Sequence, residues 1–217
     1  MSRTEKNEKM QFRLLDPDGK DEYEFNSKGK IRRVKRTCTD SFHKVDDKGK
    51  RIDGVSLSFD KKIVVRQFNL GTEKSEIEVN FLKIKGDDES RKVFEFFSNN
   101  STENKAEYVN VAIGKRTGAS GLNLLGANVN HIESSSHGIT AVYDNYYTLR
   151  RADHNHPSGS NGVSEADVNT AKMVQSKFPK ATLFNFTVTS RYTPFDKNTT
   201  PVDSYINLPE FEIIGTK

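Results

Sequence analysis

The chain has a single cysteine, Cys38, among 217 residues. An internal disulfide framework is therefore excluded, as is a metal site built on four cysteines, so any metal must be held by histidine and carboxylates. No run approaches the roughly 18 apolar residues of a membrane-spanning helix, and no membrane insertion is expected. The opening Met1-Ser2-Arg3-Thr4-Glu5-Lys6 has no apolar stretch behind its basic residues and does not read as a classical signal peptide; export would need another route, such as attachment to a larger carrier. Apolar residues make up only 33% of the chain, yet 14 Phe and 7 Tyr recur in short alternating runs. The apolar surface is thus concentrated in aromatics, which argues for a folded chain rather than a disordered one.

The formal charge is +4, and the excess lies at the front: residues 1–92 hold 23 basic and 18 acidic residues, the remainder 11 and 12. Spread over that length, such an excess reads as a solvated surface, and nucleic acid is not the expected partner.

Residues 1–86 read as short strands and turns. Asp16-Pro17-Asp18-Gly19 has turn chemistry, and Lys28-Gly29-Lys30 and Lys48-Gly49-Lys50 each divide β-prone segments, predicting consecutive hairpins that continue through 55–59 and 63–68. The pattern changes near Asp87, where Asp87-Asp88-Glu89-Ser90 precedes Arg91 to Phe97 and predicts a short helix. A strand is expected over 107–114. Residues 118–126 read as a turn-rich, irregular connection, lacking the endings of a phosphate loop and the dinucleotide fingerprint. A strand pair is expected at 138–143 and 146–152, and a helix over 164–178, where Val168, Ala171, Met173 or Val174, and Phe178 recur at helical spacing. A strand over 183–189 follows. From Tyr192 the chain reads as an irregular tail with one more short strand at 211–214. The expected division is a β-rich section over 1–86 and an α+β domain over 87–217.

The segment from His154 to Asp167, His-Asn-His-Pro-Ser-Gly-Ser-Asn-Gly-Val-Ser-Glu-Ala-Asp, carries the chemistry. In an extended chain residues two apart face the same way, so His154 and His156 present both imidazoles to one point. Pro157, Gly159 and Gly162 turn the chain, and Asp167 lies one turn into the next helix, where its carboxylate can return to the strand end. Two imidazoles and a carboxylate leave the fourth position of a tetrahedral zinc site open to water. Glu107, at the start of its strand, is the candidate general base, with Glu103 and Glu133 in reserve. Ser164, one turn before Asp167, is a candidate oxyanion donor; Ser164 to Asp167 equally has the form of a helix cap. Asp153 either bonds a ligand histidine or faces solvent. His43, His131 and His137 read as surface residues, with His137 the best optional site residue among them, and Cys38 lacks the surroundings of a nucleophile.

The pattern His154-x-His156-Pro157, Ser164, x-x, Asp167 resembles the signature of the JAMM/MPN-type (JAB-like) zinc metallopeptidases, and His154-Asn155-His156-Pro157-Ser158-Gly159 is similar to the bacterial RadC-type branch. The resemblance covers about residues 87–189. It implies a JAB/MPN-like (cytidine-deaminase-like) mixed sheet with flanking helices, Zn2+ held by His154, His156 and Asp167, general-base action by Glu107 and oxyanion support by Ser164. Leu15-Asp16-Pro17-Asp18-Gly19 is similar to the junction that precedes variable toxin domains in bacterial Rhs-type polymorphic toxins. That similarity implies a toxin or effector tail made in the bacterial cytoplasm and delivered, as part of its carrier, into another cell. The expected partners are a protein substrate there, cut at a peptide or isopeptide bond, and a cognate immunity protein. Two rival readings are a zinc-stabilised binding domain without turnover and a RadC-like protein associated with DNA.

Overall fold

The computed structural model describes residues 20–26, 29–37, 39–72, 75–100, 106–127, 136–156, 162–187 and 191–202. Both glycines of the Lys-Gly-Lys turns adopt the left-handed backbone that such turns require, with φ of 76° at Gly29 and 81° at Gly49. They join β1 (Lys20–Asn26) to β2 (Ile31–Thr37) and β3 (Ser41–Val45) to β4 (Arg51–Ser58). The second turn is braced by Asp46, whose carboxylate accepts from the backbone N–H of Lys48 and Lys50. The two hairpins do not continue as a meander. Their first strands pair in parallel, giving a small sheet of order β2-β1-β3-β4.

A larger sheet holds β5 (Val64–Thr72), β6 (Ser75–Lys85), β7 (Tyr108–Ile113), β8 (Leu122–Ala127), β9 (Leu149–Asn155), β10 (Thr182–Thr187) and β11 (Arg191–Phe195). Its order is β11-β10-β9-β7-β8-β6-β5; β9 and β10 run parallel and every other neighbouring pair antiparallel. Among the described residues the α-helices are α1 (Asp87–Asn99), α2 (Ser136–Asn145) and α3 (Glu165–Lys177). The expected α+β class is therefore observed: a mixed sheet with flanking helices, preceded by a strand-rich section. This sheet reaches back across residue 87, because β6 bonds to β8 from Asn80 to Lys85 and carries β5 with it.

Three segments differ from the sequence expectation. Residues 118–126 are not an irregular connection: after one 3-10 turn at Gly118–Ser120 the chain enters β8. Leu124 and Leu125 are buried on its two faces, and the glycine that suggested a loop, Gly126, admits the Phe81 ring, which a Cβ there would meet at 2.7 Å. Residues 138–143 form α2 rather than a strand. Ile139, Thr140 and Val142 are β-branched, which favours a strand, but Ile139, Val142 and Tyr143 share one helical face, and Gly138 lets that helix approach Val109, whose Cγ2 would lie 2.5 Å from an added Cβ. The expected irregular tail instead begins with edge strand β11, which tolerates Pro194 because it has a neighbour on one side only. The turn at 16–19 and the strand expected at 211–214 lie outside the described residues.

Helix α1 lies between the two sheets. Its Val93, Phe94 and Phe97 are buried, Phe97 stacks on Phe25 of the small sheet at 4.3 Å between ring centroids, and Phe94 meets Phe186 of the large sheet at 5.5 Å. The opposite face of the large sheet packs on α2 and α3 through Val109, Val111, Leu124, Ile139, Val168 and Val174. No helix among the described residues is long and apolar enough to cross a membrane.

Two carboxylates tie the layers. Asp40, fully buried, accepts from the backbone N–H of Asp21 in the small sheet (2.9 Å) and of Ile63 (2.6 Å) and Val64 (2.8 Å) at the start of the large one. Asp87, at the start of α1, accepts two bonds from Arg150 (3.2 and 2.9 Å), one from Asn123 (3.0 Å) and one from the Gly118 N–H (2.9 Å). Replacing Asp40 by Ala leaves three buried donors unpaired, and D40A should lose about 3 kcal/mol in urea unfolding, with D40N recovering part of it. Partial burial opposes the charge on Asp87, but its bonds to Arg150, Asn123 and Gly118 prevail and hold its carboxyl below the usual aspartate range. A lowered folded-state pKa contributes stability above the unfolded-state value and loses it as pH falls through the folded-state one. Unfolding free energies from about pH 6 to about pH 2 should therefore fall more steeply for the natural chain than for D87N.

Candidate metal centre

The parallel strands β9 and β10 are joined by a crossover that contains α3, so the end of β9 and the start of α3 meet at one rim of the sheet. Alternation along β9 places Ala152 and His154 on the face covered by α2 and α3, and turns Asp153 to the α1 side. His156 follows the last strand residue, and its backbone N–H still bonds to the Phe186 carbonyl (3.0 Å), so the chain stays extended and both imidazoles face the same way. At the other end of the loop Ser164 caps α3. Its hydroxyl oxygen accepts from Asp167 N (3.2 Å), while Asp167 Oδ2 accepts from Ser164 N and from the Ser164 hydroxyl, both at 2.8 Å.

That capping box aims the Asp167 carboxylate at the imidazoles. Oδ1 lies 3.0 Å from His154 Nε2, Oδ2 lies 3.4 Å from His156 Nε2, and the two Nε2 atoms are 2.9 Å apart. His154 is 1% exposed and Asp167 8%. Burial opposes ionisation of Asp167, but the bonds from His154 and then His156 prevail and hold its carboxyl far below the usual range. Burial likewise opposes a charge on His154, and Asp167 reverses this, raising it above an ordinary histidine with help from the Glu107 and Asp153 charges. The edge of the Phe195 ring closes the outer side of His154 (centroids 5.6 Å apart).

These three groups suit a divalent cation: each supplies one ligand atom, and the atoms lie within 4.8 Å of one another. Two imidazole nitrogens and a carboxylate are a donor set for zinc-like ions. His154 Nδ1 is buried with no hydrogen-bond partner among the described residues, and both Nε2 atoms already face the carboxylate.

Glu107 stands just before β7, which pairs with β9 so that Val109 faces His154; its charge acts on His154 across that pairing. The Asn155 amide brackets it, accepting from Tyr108 N (2.5 Å) and donating to the Ala106 carbonyl (3.3 Å). Ser164 is seen as the cap, with its hydroxyl on the ligand carboxylate. Asp153 takes neither of the places expected of it: strand alternation sends it to the α1 side, where it pairs with Arg151 (2.6 Å) and accepts from Asn110 (3.3 Å). His43 lies in the small sheet against Ser41, 3.1 Å away, and His137 stands in the first turn of α2. Cys38, Glu103, His131, Glu133 and the stretch from Pro157 to Asn161 lie outside the described residues. Asn185 was not anticipated. Its Nδ2 contacts His156 Nδ1 (2.9 Å) and the Gly162 carbonyl (3.2 Å), and the one available signal was an asparagine interrupting the run Leu183-Phe184-Asn185-Phe186.

No family model matches the chain, and neither a curated protein nor a solved structure matches it.

Removing the Ser164 side chain takes away one bond to the α3 end and one of the two bonds by which Ser164 holds the Asp167 carboxylate, leaving the one from its backbone N–H. S164A should cost about 1 kcal/mol in urea unfolding and also weaken metal binding, measured by competition with a chromophoric chelator. Zinc affinity unchanged in a folded S164A would show that the cap does not orient the ligand.

Proposed function

We propose that the chain is a zinc-dependent hydrolase of amide bonds, a metallopeptidase of the JAMM/MPN type acting as an effector on a protein of another cell. The observation that carries this reading is the convergence of His154 Nε2, His156 Nε2 and the Asp167 carboxylate at the rim of one β-α-β crossover. His154, His156 and Asp167 would hold the ion. Bound zinc supplies Lewis acidity, acidifying a water and polarising the scissile carbonyl. Glu107 takes the proton from the attacking water and returns it to the leaving nitrogen, a role its place beside His154 suits. Ser164 would act as donor to the developing oxyanion by turning its one hydroxyl proton away from the Asp167 carboxylate that now accepts it. The Asn155 bracket keeps the strand entry that carries Glu107 in place.

The toxin assignment rests on the similarity of residues 15–19 to a carrier junction, and with it come delivery as part of a larger Rhs-type chain, a cognate immunity protein and a protein substrate in the target cell. Incubating zinc-loaded protein with a bacterial lysate, and reading new N-termini and newly freed lysine side chains by mass spectrometry, tests the reading. Cleavage should appear with zinc and vanish with chelator. E107A should retain one zinc per chain and lose at least about a hundredfold in rate. Cleavage indifferent to chelator would sink the proposal. Zinc binding that stabilises the fold while no lysate protein is cut would leave a zinc-stabilised binding domain in its place.

A further inference from the structure

Asn185 is fully buried on β10, directly beside His154 in the parallel register. Its Nδ2 lies 2.9 Å from His156 Nδ1 and 3.2 Å from the Gly162 carbonyl oxygen. Among the described residues its Oδ1 has no hydrogen-bond partner, and neither has Nδ1 of neighbouring His154. A neutral imidazole carries one proton, and an amide NH2 only donates. Where Asn185 donates to His156 Nδ1, that nitrogen offers its lone pair, and the ring proton sits on Nε2 toward Asp167.

Coordination through Nε2 requires the opposite arrangement. The lone pair must be on Nε2 and the proton on Nδ1, which then needs an acceptor. The ring keeps a single proton throughout, exchanged through solvent. Asn185 Oδ1, on the same amide group, is an acceptor that no donor among the described residues meets, and a half-turn about Cβ–Cγ exchanges the two ends with little change of shape. Once turned, the amide also releases the Gly162 carbonyl, two residues before the Ser164 cap.

We infer that Asn185 is the positioning residue that selects the His156 tautomer, turning its amide between the metal-free and metal-loaded states and thereby setting the affinity of the site. This rests on the metal-centre reading above.

The test uses the full chain with nitrogen-15 histidine, reading the ring nitrogens by NMR with and without zinc. His156 should carry its proton on Nε2 without zinc and on Nδ1 with it. In chelator competition N185A should bind zinc about ten- to a hundredfold more weakly, whereas N185D, which always presents an acceptor, should bind at least as tightly as the natural chain. A zinc-free His156 protonated on Nδ1 overturns the inference, as does a folded N185A with unchanged affinity or an N185D that weakens with N185A. Should N185A fail to fold, the ring-nitrogen measurement on the natural chain decides. A natural chain that takes up no zinc defeats the metal-centre reading and this inference together; one that binds zinc with Nδ1 protonated in both states defeats only the role of Asn185.

Discussion

The site depends on one constraint: a carboxylate held by the end of its own helix while facing two imidazoles from a strand. Asp167 belongs to α3 and the histidines to the end of β9, so their meeting requires that strand and helix be consecutive parts of one crossover. Parallel pairing of β9 with β10 supplies that requirement, since two parallel neighbours cannot be joined by a tight turn. The helix then starts where the strand stops. Its first turn, rich in unpaired N–H groups, favours the negative charge that Asp167 brings.

Most polar groups of the site are held by backbone contacts or by buried side chains, and the sheet beneath is covered on both faces. Asn155 and Asn185 show how β9 and its neighbours divide the work. Asn155, between the two histidines in sequence, reaches the chain entering β7, while Asn185 reaches His156 from β10. Two buried amides thus link three adjacent strands to one point, which suits a centre whose ligands must keep their spacing.

Much of the site was legible in the sequence because its spacing is local. A His-x-His pair at a strand end, a turn, and an acid in the next helical turn are all fixed by short-range geometry, and the structure brings those three residues together as expected. The helices α1 and α3 were legible for the same reason, from acidic starts and apolar periodicity. What escaped depends on distant partners. Residues 118–126 are a strand because β6 and β7 lie on either side, and residues 138–143 are a helix because their apolar face has β7 to cover, although their local composition favoured a strand. Asn185 is separated from His156 by the whole crossover, and Asp153 could be assigned only once the two faces of β9 had owners.

The burial of α1 between two sheets bears on how the chain can be divided. A fragment begun at the first residue of that helix would forfeit β5 and β6, leaving β8 as a bare margin, and would strip from Phe97 the ring that shields it. The front portion thereby serves as the second wall of the hydrophobic interior, and excising it would expose aromatic surface that invites self-association.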